Sequence, residues 1–317
     1  MTWIKNESED KSRPLKSRVT IKKQTLLIIG CGNIALRAAP LLQPRYRLLG
    51  LYRKPEQRAR LCSLGIRPIF GDLDIPDSLD KLAGTAHAVI HLAPPPNKGR
   101  RDTRTANLLA ALARRPKVKG SMLPQRFIYI STSGVYGDCK GAVINETRLI
   151  NPQTRRAVRR ADAERQVRNW GSRNGVQVSI LRVPGIYAGD RLPFVRLRDG
   201  TPALIPEEDS YTNHIHADDL ARIIVAALRY GRPGRIYHAC DDSTLKMGEY
   251  FDLVAERFGL PRPPRIPRAH APGRISPEML SFMQESRRLI NTRIKRELHV
   301  SLRYPTVGRC LAGEAGK

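Results

Sequence analysis

From residue 25 the chain alternates short apolar runs with amphipathic stretches of helical period. "TLLIIG" is a continuous apolar run closed by glycine, the pattern of a strand buried on both faces. "NIALRAAPLL" follows with helical spacing, interrupted late by Pro40. "YRLLGLYR" reads as a second strand and "PEQRARLCSLG" as a helix closed by glycine. "RPIFGD" is a third strand, "IPDSLDKLAG" a helix, "HAVIHLAPP" a fourth strand and "TRTANLLAALAR" a helix. "RFIYISTSGVYG" predicts a fifth strand running into a loop. A helix to Trp170 and the strand-like "VQVSILRVPGIYAG" come next. Strands alternating with helices predict βαβ units, a parallel sheet and right-handed crossovers.

The later chain is less regular. "NHIHADDLARIIVAALRY" predicts a helix opened by acidic residues, "RIYHACDD" a strand and "KMGEYFDLVAERFGL" an amphipathic helix. The proline-rich "PRPPRIPRAHAPGR" reads as a loop, and "PEMLSFMQESRRL" starts a further helix. Residues 1–24 are charged and without period, a mobile basic tail with no apolar signal-peptide region.

Composition narrows the class. Apolar residues make up 41% of 317, enough for a real core, and no run approaches the length of a membrane helix. Five scattered cysteines without a C-x-x-C pair indicate neither a disulfide framework nor a zinc site; no metal is expected, and the setting reads as reducing and cytoplasmic. The net charge of +27 raises a polyanion partner. The charge is spread along the whole chain and aromatics are only 6%, thin for base stacking, so nucleic-acid binding is disfavoured.

The chemistry begins at "IIGCGNIALR". Gly30, Gly32 and Ala35 form G-x-G-x-x-A between a strand and a helix, the arrangement that seats a pyrophosphate on helix amides. At the end of the second strand NAD binding would ask for a carboxylate. The chain has Arg53-Lys54 there, and a guanidinium suits a 2′-phosphate, which favours NADP while leaving NAD open. Asp72 of "FGDLD" stands where a carboxylate or its amide meets adenine; Asp74 and Asp77 read equally well as helix caps.

Together "GCGNIA", "FGDLD", "VIHLAPP", "YISTSGVYGD", "ILRVPGIYAGDR", "NHIHADDLA" and "IYHACDD" resemble, in order, the extended and atypical short-chain dehydrogenase/reductases, the NAD-dependent epimerase/dehydratase-like branch. The resemblance implies a Rossmann-type doubly wound parallel sheet with a smaller C-terminal substrate lobe. It places the NAD(P)-binding domain at 25–185, with 212–240 returning to it, and the lobe and C-terminal helices at 186–317. It implies Gly30, Gly32, Asn33 and Ile34 at the pyrophosphate, Asp72 and Leu73 at adenine, and Ala93 and Pro94 along the cofactor channel. Pro184, Gly185 and Ile186 would meet the nicotinamide side, and Arg191, Asn213 and His216 the substrate. Thr132 takes the place of the catalytic serine or threonine, and Tyr136 is the tyrosine of "VYG", bordering substrate. A homodimer is implied by the same family habit.

One departure stands out. The family's proton shuttle is a tyrosine four residues before a lysine, followed by an Ala-Glu step. Ala163-Glu164 sets the register, and it puts Arg156 and Arg160 at the tyrosine and lysine positions. Arginine keeps its charge and cannot shuttle protons near neutral pH. The apolar stripe Ala163, Val167, Trp170 projects back onto both arginines, so they should point inward and meet an anion, while Arg155, Arg165 and Arg168 project elsewhere. Three readings follow: an NADP-preferring oxidoreductase or epimerase-like enzyme using Thr132, Tyr136 and Arg160, with Arg156 on the substrate; a non-catalytic NADP-binding sensor; and a nucleic-acid-binding protein.

Overall fold

The computed structural model describes residues 23–114 and 123–313. Most of the expected basic tail lies outside the described residues. The core is a seven-stranded parallel sheet. Its first five strands are β1 (Gln24–Ile29), β2 (Tyr46–Tyr52), β3 (Arg67–Phe70), β4 (Ala88–His91) and β5 (Arg126–Thr132). The spatial order is Arg235–His238, Gln177–Val183, β5, β4, β1, β2, β3. The chain therefore builds outward from β1 in one direction, then crosses to β4 and builds in the other. That reversal opens a crevice at the carboxyl ends of β1 and β4, the usual ligand position in such sheets.

Alternation in β1 explains the two covered faces. Leu26 and Ile28 point into one core; Leu27 and Ile29 point into the other. The first face carries helix α1 (Asn33–Leu42) and the helix Ala217–Tyr230. The second carries α3 (Thr103–Ala113) and α4 (Arg155–Asn174), between them Leu108, Leu112, Ala163 and Val167. A short α2 (Gln57–Ser63) links β2 to β3 and buries Leu61 in the first core. Pro40 falls inside α1 without ending it.

α4 begins where Thr154 accepts a hydrogen bond from the Ala157 amide, and it ends at Gly175 in the left-handed region. Asp102 caps α3 in the same way through the Thr105 amide. A separate apolar cluster built on Tyr187, Phe251, Val254, Ile266 and Met283 forms beside the sheet. Ile294, Leu298, Val300 and Leu302, read from sequence with the lobe, pack instead into the first core of the sheet.

Three local expectations are corrected. Pro76–Leu82 winds as a 3-10 helix whose N-cap is Ile75, so neither Asp74 nor Asp77 caps it. The presumed loop 261–274 contains the short strand Arg265–Ile266, paired with Ala203–Leu204, and a 3-10 turn at Arg268–His270. His214–His216 is a strand paired with Gly185–Tyr187, and its helix starts only at Ala217. In each case tertiary pairing overrides a local pattern.

Candidate active site

A cavity of about 570 Å³ occupies the crevice at the switch point, a size that suits a nucleotide cofactor together with a small ligand. Its floor is the turn between β1 and α1. Gly30 has φ +92°, and a Cβ there would lie 2.5 Å from the Ala93 nitrogen, so only glycine lets this turn sit against the end of β4. Gly32 is different. A Cβ on it would meet nothing within 4 Å and would stand in the open cavity. Gly32 also caps α1 without any side-chain bond, and the first turn of α1 carries no acidic residue. The helix thus presents free amides and its positive end to a space that one side chain would fill, which fits a diphosphate.

At one end of the cavity stand Arg53, Gln57, Asp72 and Leu73. Arg53 is exposed and has no hydrogen-bond partner among the described residues. Arg104, from α3, also lines this end, but it is committed: it grips Asp74 through two bonds of 2.6 and 2.8 Å and reaches the Pro94 and Pro95 carbonyls. That hydrogen-bonded guanidinium holds the Asp74 carboxyl below its ordinary pKa. Asn33 lines the floor, giving its amide to Asp190 at 3.0 Å and taking a bond from Arg37 at 2.9 Å. Arg37 in turn pairs with Asp190 and Asp218 at 2.9 and 2.6 Å. Ile34, Ala93 and Pro94 complete the wall.

The other end carries Thr132, Arg156, Arg160, Pro184, Ile186 and Phe282, and Arg191 lines the cavity too. Thr132 closes β5, where its Oγ1 accepts the Gly134 amide at 3.2 Å. Accepting there leaves the hydroxyl proton free to be donated into the cavity. Arg160 is anchored by Nη1 alone, to Ile130 O at 2.9 Å, Tyr129 Oη at 3.2 Å and Ala93 O at 3.4 Å. Arg156 makes no hydrogen bond among the described residues. Its guanidinium lies 4.0 Å from the centre of the Phe282 ring, and its nearest carboxylate, Glu278, is 3.7 Å away and largely exposed. Burial presses its pKa below the ordinary arginine value.

Of the sequence-derived site residues, four lie off the cavity wall. Tyr136 is buried, and its hydroxyl meets His238 Nε2 at 2.5 Å. His238 Nδ1 faces the Ile290 carbonyl at 3.0 Å, so Nδ1 carries the ring proton and Nε2 accepts from Tyr136. The tyrosine proton is thereby committed away from the cavity, and burial raises its pKa to about 12. Asn213 ties two segments together through Arg287 O and the Leu289 amide. His216 caps the helix Ala217–Tyr230 by accepting the Asp218 amide and stacks on Tyr304 at 3.9 Å. Gly185 sits in its strand between Pro184 and Ile186 without reaching the wall. The resemblance implied these four at cofactor or substrate; here backbone, capping and side-chain contacts hold them off the cavity wall.

The stripe on α4 also catches a residue the projection passed over. Arg159, four before Ala163, is buried and donates to Gly99 O at 2.9 Å. The internal carboxylate Glu146 faces Arg293 at 3.6 Å and not the inward arginines of α4. Arg104, Gln57 and Phe282 were not foreseen, nor was the network beneath Thr132. There Ser131 Oγ donates to Glu164 at 2.6 Å, and Arg182 grips both Glu164 oxygens at 3.1 and 2.7 Å. Only the Ala-Glu step hinted at Glu164. No local pattern marks Phe282, which arrives from the helix Pro277–Met283.

A glycine turn feeding a bare helix end, at the switch point of a parallel sheet, is a dinucleotide site in outline. Residues 35–240, about two thirds of the chain, match the NAD dependent epimerase/dehydratase family. The chain belongs to that family. It is 29% identical to GDP-6-deoxy-D-mannose reductase of Pseudomonas aeruginosa over 206 residues, 58% of this chain and 68% of that protein. It is 27% identical to the uncharacterized protein C2A9.02 of Schizosaccharomyces pombe over 237 residues, 70% and 75% of the two chains. A functionally unknown conserved protein from Silicibacter pomeroyi DSS shares the fold with a TM-score of 0.75 and 28% identity, covering 93% of this chain and all of that one. UDP-glucuronic acid 4-epimerase from Bacillus cereus, solved with NAD, reaches a TM-score of 0.69 at 20% identity over 92% and 95% of the two chains. Within this family frame, Arg156 and Arg160 hold the positions where the resemblance would put tyrosine and lysine.

Proposed function

We propose that this protein is an NADP-preferring oxidoreductase or epimerase-like enzyme acting on a carbonyl or hydroxyl of a small or sugar-nucleotide-type substrate. One observation carries the reading: the glycine turn before α1 and Thr132, whose Oγ1 accepts the Gly134 amide, line the same cavity. Gly32, the α1 amides, Asp72, Ala93 and Pro94 would hold the cofactor, which when bound supplies or accepts a hydride. Thr132 donates a hydrogen bond to the reacting oxygen. Arg160, fixed by Nη1, keeps its remaining N–H groups for the negative charge that develops on that oxygen. Neither residue is a proton shuttle of ordinary pKa, so the proton comes from solvent through the Thr132 hydroxyl. The likeness to a GDP-6-deoxy-D-mannose reductase supports the sugar-nucleotide end of the substrate range.

Arg53 supports the NADP preference, because it is uncommitted at the end of β2, where no carboxylate stands. Titrating NADPH and NADH against wild type and Arg53→Asp tests it. The expected result is a preference for NADPH that falls by about tenfold or more in the variant. An unchanged preference refutes it. Replacement of the tyrosine-lysine pair favours a second reading, a non-catalytic NADP-binding sensor. A panel of sugar-nucleotide, keto and aldehyde substrates separates the two: tight NADPH binding without turnover on any of them selects the sensor.

A further inference from the structure

Two guanidinium groups from α4, Arg156 and Arg160, line the cavity with Thr132, and Arg191 lines it as well. Arg104, at the far end, is neutralised by its two bonds to Asp74. Around Thr132 no carboxylate is hydrogen-bonded to Arg156 or Arg160: Glu278 and Glu285 act on Arg156, and Asp102 on Arg160, only through space. Arg160 spends one nitrogen on neutral acceptors, and Arg156 spends none. The nearest carboxylate, Glu278, stands 3.7 Å from Arg156, beyond hydrogen-bond contact, with most of its side chain in water.

The setting of Arg156 is that of a prepared fork. Its stem leaves the first turn of α4, whose position Thr154 fixes by capping. Its plane rests on the Phe282 ring, which orders the guanidinium without using any N–H group. A half-buried cation with five free donors is costly unless an anion meets it. A planar carboxylate or a phosphate can take two parallel bonds from such a fork; a neutral hydroxyl cannot.

We infer that the substrate carries an anionic group, carboxylate or phosphate, close to its reacting carbon, and that Arg156 receives this group while Glu278 is displaced. The inference rests on the proposed function, because it takes Thr132 as the contact of the reacting oxygen. It narrows the substrate to oxo or hydroxy compounds bearing a negative charge beside the reacting centre. It also gives the tyrosine-to-arginine exchange a purpose: a proton shuttle has been replaced by an anion receptor. Arg156 is then a specificity-determining residue.

The test uses protein saturated with NADP⁺, so that the diphosphate seat on α1 is filled and no probe can be reduced. Calorimetric titrations are run with oxamate, with inorganic phosphate and with methyl oxamate, the uncharged counterpart. Saturable binding of at least one anion, with none of the ester, is expected. Arg156→Gln should lower the anion's affinity by about tenfold or more, and Arg155→Gln, an exposed neighbour on the same helix, should leave it unchanged. Glu278→Gln should raise it by up to about fivefold, since a loose competing carboxylate is gone. Which anion binds tells a carboxylate substrate from a phosphate one. NADP⁺ binding serves as the folding check for each variant. If Arg156→Gln fails it, Arg156→Lys, which keeps the charge and loses the fork, should still weaken the anion several-fold. The inference is overturned if the ester binds as well as the anions, if neither anion binds, or if substitution at 156 changes nothing. Should NADP⁺ itself fail to bind wild type, the proposed function falls first, and that result is read separately.

Discussion

Thr132 and Glu164 show how differently two neighbouring polar side chains behave. Thr132 faces the cavity, and its role is tested by Thr132→Ala. We expect a loss of about a hundredfold in kcat/KM on any substrate found, with NADPH affinity unchanged. Glu164 never reaches the cavity. It is buried with Arg182, each with 4% of its side chain exposed. Glu164→Gln leaves the Arg182 cation without its counter-charge and should cost roughly 3–5 kcal/mol in urea unfolding. A loss below about 1 kcal/mol would show that the pair contributes little. Sequence legibility divides along the same line. Gly30, Gly32, Thr132 and Arg160 were readable because backbone geometry or family register restricts what can stand there. Arg104 and Phe282 were not, because each enters the cavity from an element whose place is set by packing far along the chain.

At the scale of elements, α4 decides the most. Its inward face was legible from the Ala163, Val167, Trp170 stripe, and the structure brings both Arg156 and Arg160 to the cavity wall. The same periodicity reaches Arg159, three or four residues back being nearly equivalent on a helix, and no rule of spacing says which of the three meets the crevice. The helix start is set by one side chain. Thr154→Ala should cost about 1 kcal/mol by thermal melting, and the loss should be accompanied by weaker anion binding at Arg156 in the next turn. Thr154→Ser should restore both. The strands were legible as apolar runs. The strand His214–His216 was not, because polar residues paired to Gly185–Tyr187 carry no strand signal of their own.

Across the whole molecule, buried histidines set the response to acid. His91, His214 and His238 are held neutral by burial, their pKa values lowered from 6.5 to about 3, 4 and 3. The unfolded chain takes up these protons near pH 6.5 and the native state only near pH 3–4, so the unfolded state binds more protons in between. Stability must fall as pH drops through that window, by about 1.4 kcal/mol per pH unit for each histidine. Asp241 works in the opposite sense. Burial raises its pKa to about 7, so the native state holds its proton longer and loses stability as pH rises towards 7. Asp241→Asn should therefore steepen the acid-side loss, measured as urea midpoints between pH 7 and pH 4.5. A variant profile that runs parallel to wild type would refute this. The positive charge of the chain is partly internal. Many of its arginines are already spent inside the fold, Arg37 among them, shared between Asn33 at the phosphate turn, Asp190 and Asp218. A diphosphate that claims the Asn33 amide takes it from Asp190, the residue next to Arg191 on the cavity wall. Diphosphate occupancy would then be coupled to the surroundings of Arg191, and such coupling is reciprocal. Anion affinity measured with and without NADP⁺ should differ in wild type and converge in Arg37→Gln, making Arg37 the shared term of two binding equilibria.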